Sequence, residues 1–521
     1  MSIRGRSSRM GLWLRMAAAC CLVLAPSLSP AAAPGDPLQQ IRAFRAAHER
    51  AILDQLTQLL AIPNLASDRP DIRRNAEAIA LMLRRRGLTP QLLEPAELPD
   101  APPLVYALWK VPGAKRTLVL YAHYDGQPVN PTEWVTPPWT PTLRTAPLDA
   151  GGRVVAIDSP QATGPQMRLY ARSAGDDKAG VMVILSALDA LRALRRQPTD
   201  NLIIAFEGEE EAGSPHLGRI LREHRALFDA QLWVICDGPV HPSGRVLITY
   251  GARGDMNADL TVYGPNRALH SGHYGNWAPN PALRLARLLA SMKNAKGHVT
   301  IPGWYDGIEP LGKRERQALT EAAQYDGAIR REFGLAVPES DWSLPEAVMV
   351  PSLNINGMRS ANVGTESANV IPTTATAVLD MRLVVGNDPQ KQFENLRRYV
   401  RSQGYYVIDR APTPQERLAH PLIATLTLRP GIYAAARMSM SDPFAVAIAA
   451  AVRTATSQPP LEVPSSGGSL PLSVIKEALG SPSMVVSISN FDDNQHAANE
   501  NLRLGNLWDG IDIYAAMLLH R

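Results

Sequence analysis

Cysteine is nearly absent from this chain of 521 residues: Cys20, Cys21 and Cys236 are the whole supply. Two of them fall in a leader-like stretch, so the remainder holds one thiol and can form no internal disulfide. A membrane-length hydrophobic run is also missing; the apolar stretch 16–26 is too short to span a bilayer, and no other candidate follows. Net charge is the third lack. The formal +4 comes from 53 basic and 49 acidic residues. Arg4, Arg6, Arg9 and Arg15 lie in the leader, and 53 − 4 = 49 leaves the rest neutral. A nucleic-acid partner therefore has no electrostatic footprint. There is no Gly-x-Ser-x-Gly elbow and no His-Glu-x-x-His helix, which excludes the common serine hydrolase and zincin arrangements. No phosphate-cradling glycine loop or basic cluster is present either, which counts against a phosphoesterase. Repeats and low-complexity linkers are absent.

The leader itself is informative. Arginines, then the apolar run, then Ala31, Ala32 and Ala33 read as a secretory signal over 1–33, so export to the periplasm or beyond is expected. Ala17-Ala18-Ala19-Cys20 makes a poor lipoprotein box, and lipid anchoring is not expected. Beyond it, 45% hydrophobic and 20% charged residues describe an ordinary folded chain, long enough for more than one domain.

Helical periodicity runs through 36–61 and 73–86. The apolar stretch Leu118-Val119-Leu120-Tyr121-Ala122 then reads as a buried strand that delivers His123 and Asp125 at its carboxyl end. The proline- and tryptophan-rich segment 128–147 reads as an ordered loop over that end. Residues 169–178 carry Asp176 into a helix over 179–194. A strand at 201–206 ends in Glu207-Gly208-Glu209-Glu210-Glu211, and one at 231–236 ends in Asp237. Strand, acidic end, helix, repeated, means α/β with a mostly parallel central sheet and a site at one edge. After 250 the texture changes. Alternating strands at 255–263 and 374–385, with helices at 281–292 and 390–403, suggest an inserted α+β unit, while 296–345 holds few strand signals. Helices at 443–456, 470–479 and 507–519 and a strand at 484–488 return to the first pattern. The expected units are 34–252 and 389–521 for the catalytic domain and 253–388 for the insert.

The acidic and imidazole groups at element ends are His123, Asp125, Asp176, Glu210, Glu211, Asp237 and His496. Burying so many carboxylates together is costly unless a cation compensates. Nitrogen and oxygen donors suit zinc and tolerate manganese or cobalt. Five ligands imply two divalent ions sharing one carboxylate, an arrangement that clamps a water and an attacked carbonyl oxygen.

Here the motifs resemble a known family, the co-catalytic dinuclear zinc metallopeptidases that include carnosinase-type dipeptidases, aminoacylases, succinyl-diaminopimelate desuccinylase and glutamate carboxypeptidases. Ala122-His123-Tyr124-Asp125-Gly126-Gln127-Pro128, residues 169–178, Glu207 to Ser214, Asp237 and Gln495-His496-Ala497-Ala498-Asn499-Glu500 match in order. Together with Ile301-Pro302-Gly303-Trp304-Tyr305-Asp306 they are most similar to the dipeptidase branch. The resemblance implies a zinc-peptidase fold with an inserted ferredoxin-like lid and dimerisation domain. It implies that His123 and Asp237 bind one metal, Glu211 and His496 the other, and that Asp176 bridges, with a cis peptide to Asp177. Glu210 would be the general base on the attacking water, and Asp125 would orient His123. Ala212-Gly213-Ser214 anchors that register; a slip by one would move the roles to Glu209 and Glu210. Ala171, Ser173 and Ala179 depart from the family's usual glycines.

In the insert, Ala268-Leu269-His270-Ser271-Gly272-His273 is similar to the lid motif whose histidine reaches a partner's site, which would make His270 an oxyanion stabiliser. His273 is out of register and reads as an exposed turn residue. Arg382 would pair with a substrate carboxylate, and Gly467, Gly468 and Ser469 would offer N–H groups to the same end, although Gly467-Gly468 also reads as a plain turn. Cys236 reads as an inert core thiol, and the remaining histidines as surface or satisfied core groups. The expected activity is hydrolysis of dipeptides, or of the C-terminal residue of short peptides, with a homodimer formed through the lid. A deacylase acting on N-acyl amino acids is the alternative, and a non-catalytic binding module on the same fold a remote one.

Overall fold

Alternate side chains of the strand Thr117–His123 enter two different cores: Leu118, Leu120 and Ala122 one, Val119 and Tyr121 the other. A strand buried on both faces must stay apolar to its end, so polar cargo appears only at His123. The computed structural model, which describes residues 36–520, puts this strand fourth in an eight-stranded sheet. The order is Gln91–Leu93, Leu104–Trp109, Asn201–Glu207, Thr117–His123, Leu232–Ile235, Ser483–Val486, Leu247–Thr249, Leu461–Val463. The middle strands 201–207, 117–123, 232–235 and 483–486 are mutually parallel. Their carboxyl ends therefore open on one edge, where α/β sheets build sites.

Helices Pro37–Leu60, Lys178–Ala193, Pro443–Ala455 and Leu504–Leu518 cover one face of this sheet, and Leu217–Glu223 and Leu472–Leu479 the other. The helix starts were written locally. Asp36-Pro37, Asn280-Pro281, Asp388-Pro389 and Asp442-Pro443 each place a side-chain acceptor before a proline, and each acceptor takes a free N–H of the first turn.

A second sheet runs Ser352–Ser360, Thr374–Leu383, Gly254–Tyr263, Ile423–Leu428, Tyr406–Ile408. Strand 254–263 alternates buried and half-buried residues, with Met256, Ala258, Leu260 and Val262 inside. Helices Pro281–Ser291 and Pro389–Ser402 close this core with Leu285, Leu289, Phe393 and Leu396. The expected boundary at 388 is thus too early. Strand 423–428 pairs antiparallel with the central strand 254–263, so the chain stays in the second unit to Leu428.

The 296–345 stretch is helical where it is regular: Lys313–Ala323, Asp326–Glu332 and Leu344–Val348. These helices roof the outer strands of the first sheet. Ala322 packs with Leu461 and Val463, Arg245 meets Glu321 at 2.8 Å, and Arg314 meets Glu462 at 3.0 Å. A small sheet of Asn501–Arg503, Arg168–Tyr170, Thr142–Arg144 and Val154–Val155 ties the 128–147 segment beside the site. Among the described residues no helix is long and apolar enough to cross a membrane. The secretory leader expected over 1–33 lies outside the described residues.

Candidate metal centre

Five donors converge at the carboxyl edge of the first sheet. His123 ends its strand fully buried. Asp237 follows strand 232–235, and Glu211 lies in a turn after strand 201–207. Asp176 precedes the helix 178–193, and His496 comes from the loop before strand 501–503. His123 Nε2 is 2.9 Å from Asp176 Oδ1 and 3.7 Å from Asp237 Oδ2. His496 Nε2 is 3.2 Å from Asp176 Oδ2 and 3.3 Å from Glu211 Oε2. Asp176 therefore divides its two oxygens between two donor groups.

These separations fit divalent ions. Ligand atoms about 2.1 Å from a tetrahedral metal stand about 3.4 Å from one another, within the 2.9 to 3.7 Å seen here. Asp177 also lies within 4.8 Å of His123 and Asp237. Its oxygens are engaged elsewhere: Oδ2 accepts the His123 N–H at 3.2 Å and Oδ1 caps the helix at Gly180 N–H, 3.1 Å. That leaves Asp176, joined to Asp177 by a cis peptide, as the carboxylate free to face both groups.

The surrounding residues hold the donors in place. Asp125, fully buried, accepts the N–H of Glu210 on Oδ1 at 3.1 Å and that of Glu211 on Oδ2 at 3.0 Å. The same Oδ1 lies 3.3 Å from His123 Nδ1. Sequence reasoning gave Asp125 only the histidine and missed its grip on the glutamate pair. It missed Glu500 altogether. Glu500, also fully buried, accepts the N–H groups of Gly175 and Asp176 on Oε1 and of Ser173 on Oε2, with Arg172 Nη1 at 2.8 Å. Gln495 donates to Asp176 Oδ2 at 2.9 Å and Gln127 to Glu211 Oε2 at 2.7 Å. The single acidic residue that closes a matched motif was the available signal for Glu500.

One local departure from the family pattern now has a physical setting. Ser173 has φ of 63°, the left-handed region where glycine is cheapest. Its hydroxyl compensates by donating to Asp125 O at 3.2 Å and accepting from Asn64 Nδ2 at 2.8 Å. Gly180 has no such latitude, since a Cβ there would stand 2.3 Å from Asp177 Oδ1 and 2.4 Å from Cys236 O.

Of the three consecutive glutamates, Glu209 is turned away. Its carboxylate meets His216 Nδ1 at 2.8 Å, while Glu210 and Glu211 line the cleft. Burial pushes the Glu210 carboxyl well above its ordinary range, with Glu211 and Asp237 adding to the shift against His123. Burial does the same for Glu211, helped by Asp176, and lifts Asp237 to about 6. Asp176 goes the other way. Burial opposes its charge, but His123 and His496 hold it well below the usual carboxylate range. Burial also drives the Cys236 thiol well up, as befits an inert core residue.

The cleft encloses about 1070 Å³. Arg382 lines it from strand 374–383, with Nε 3.1 Å from Asp380 Oδ1 and Nη1 donating to Ser469 Oγ at 2.9 Å. Gly467 and Gly468 line it beside Ser469. His270 does not. It is exposed on the second unit, with Nδ1 accepting the Gly272 N–H, and its ring lies 4.5 Å from that of His273. Tyr433 lines the cleft without having been expected.

The chain is similar to known proteins over most of its length. The chain is 26% identical over 481 residues to a Cys-Gly metallodipeptidase of Candida albicans, covering 88% of this chain and 92% of the relative. It is 26% identical over 438 residues to the human Beta-Ala-His dipeptidase, covering 82% and 80%. The solved structure of the Saccharomyces cerevisiae di-peptidase Dug1p superposes with a TM-score of 0.73 at 22% identity, over 92% of this chain and 98% of that one. Residues 119–520 match peptidase family M20/M25/M40. With the family matched over 119–520 and an acidic, histidine-bearing cleft at the carboxyl ends of the parallel middle strands, the protein is a metallopeptidase of family M20/M25/M40.

Proposed function

We propose that this enzyme is an exported dinuclear dipeptidase that hydrolyses the peptide bond of small substrates bearing a free carboxylate. The observation that carries the reading is the division of Asp176 between His123 and His496, one oxygen to each. His123, Asp176 and Asp237 would hold one ion and Asp176, Glu211 and His496 the other, with zinc favoured by the donor set. Two bound ions would polarise the scissile carbonyl and make water a better nucleophile near neutral pH.

The chain's own residues do the rest. Glu210 is free of the ion-binding contacts and faces the cleft, so its carboxylate takes a proton from the attacking water and returns it to the leaving amine nitrogen. Asp125 keeps that carboxylate and His123 in register. Arg382, with Ser469, receives the substrate's terminal carboxylate, and the glycines 467 and 468 leave room for it. His270 stabilises the oxyanion, acting from a second copy, since its own chain leaves it exposed. Strand 352–360 is an edge of the second sheet, with Ile355 and Met358 exposed, and offers the surface for that dimer. The relatives reported above are dipeptidases, which favours peptides over N-acyl amino acids. Export rests on the arginine-led apolar leader and the single remaining thiol.

The test is a screen of dipeptides against matched N-acyl amino acids, with zinc, manganese and cobalt compared. Turnover of dipeptides at least tenfold above their acyl counterparts is expected. Turnover of acyl amino acids alone would replace this reading with the deacylase.

A further inference from the structure

The cleft is larger than the metal-ligand edge and has a second, apolar lobe. Strand register shows where it lies. Pro239 bridges Ser489, which sets Ser487 level with Asp237. The Ser487 N–H donates to Leu247 O, and Leu247 pairs with Leu461. Asp237, Ser487, Leu247 and Leu461 therefore form one lateral row, and all four line the cleft. The row spans three strand spacings, roughly 14 Å, and passes from charged to polar to aliphatic. Val463 extends the apolar floor, and Leu319, Ile329 and Val348 of the roofing helices face it.

The lobe adjoins the carboxylate end of the site. A Cβ on Gly467 would stand 3.6 Å from Val348 Cγ2, and two residues on Ser469 accepts from Arg382. We infer that the lobe is the specificity pocket for the C-terminal residue of the substrate and takes a large aliphatic or aromatic side chain. This rests on the dipeptidase reading above. A residue anchored by its carboxylate at Arg382 and Ser469 turns its side chain along the row, away from the scissile carbonyl. Glycine there would leave the half-buried Leu247 and Val348 facing water, whereas leucine or phenylalanine would cover them. Asp326 also lines the cleft, but its Oδ2 accepts the Leu344 N–H and holds the roof helix in place.

The experiment measures kcat/KM of the metal-loaded enzyme for Ala-Gly, Ala-Leu, Ala-Phe and Ala-Lys, and for Leu-Ala and Phe-Ala. Ala-Leu and Ala-Phe should exceed Ala-Gly by about tenfold or more, the scale on which apolar pockets discriminate. The half-buried Val348 can be enlarged at modest risk to folding, and Val348→Phe should cut the Leu-to-Gly ratio by about tenfold or more. Equal rates for all C-terminal residues, a lysine preference, or a preference carried by the N-terminal residue would overturn the inference while leaving the dipeptidase reading intact. Hydrolysis of none of the dipeptides would overturn both.

Discussion

Asp125 accepts the backbone N–H of Glu210 at 3.1 Å, so the residue expected to orient a histidine also sets the position of the proposed base. Its second oxygen does the same for Glu211 at 3.0 Å. An asparagine cannot satisfy both N–H groups, because its NH₂ would face one of them. Asp125→Asn should therefore lower metal affinity about 10- to 100-fold, the usual effect of removing a partner that orients ligands. Metal titration followed by calorimetry measures it. Unchanged affinity would reduce Asp125 to a bystander.

Glu500 makes the same kind of grip on the loop that carries Asp176. Truncating it strands three buried N–H groups and the buried guanidinium of Arg172. Breaking such a pair from one side costs about 3–5 kcal/mol, so Glu500→Ala should lower the unfolding free energy by that amount and weaken metal binding with it. Glu500→Gln, which keeps one of the two accepting oxygens, should recover part of both. Denaturant unfolding of the metal-loaded forms checks the first, and an Ala variant as stable as the parent would refute the role.

Glu207 gives a pH signature. Burial lifts its carboxyl to about 8, with Glu209 adding, while Tyr121 donates to it at 2.6 Å. The unfolded chain releases this proton near 4.5 and the folded chain near 8. Between those values the folded state binds more protons, so stability falls as pH rises, by up to about 1.4 kcal/mol per unit, and levels off above 8. Glu207→Gln cannot ionise. Its melting temperature should decline less than the parent's between pH 6 and 9, and parallel curves would contradict the buried neutral acid.

How much of this was legible in the sequence follows from burial. Strands packed on both faces, such as 117–123 and 201–207, read as apolar runs whose polar ends could only be site residues. Helices were legible as periodic apolar stretches; the Asx-Pro pairs that cap four of them are local chemistry that the periodicity alone did not use. The grips made by Asp125 and Glu500 were not legible in full, since each joins a carboxylate to backbone N–H groups that only tertiary closure brings near. Strands 247–249 and 461–463 are three residues long, too short to show a period, and they form the floor of the apolar lobe. The continuation of the second sheet through 423–428 was missed for a related reason: its partner strand lies more than 150 residues earlier. The glutamate register, chosen from Ala212-Gly213-Ser214, stands beside the observation that Glu209 turns to His216.

His270 is exposed, which leads to a complementation prediction. Preparations of His270→Ala and Glu210→Gln should each be nearly inactive. Mixed subunits should recover a measurable part of the parent activity, because one of the two sites in a mixed dimer would be complete. Absence of recovery in subunits shown to have exchanged would place the oxyanion donor within a single chain.

The central claim, two ions sharing Asp176 with Glu210 as the base, is tested most directly by measuring bound metal and turnover together in the Glu210→Gln variant. The account predicts two equivalents of metal per chain, as in the parent, and a kcat lower by about three orders of magnitude, since the base and the water it positions are lost together. One equivalent in both proteins, or turnover near that of the parent, would contradict it.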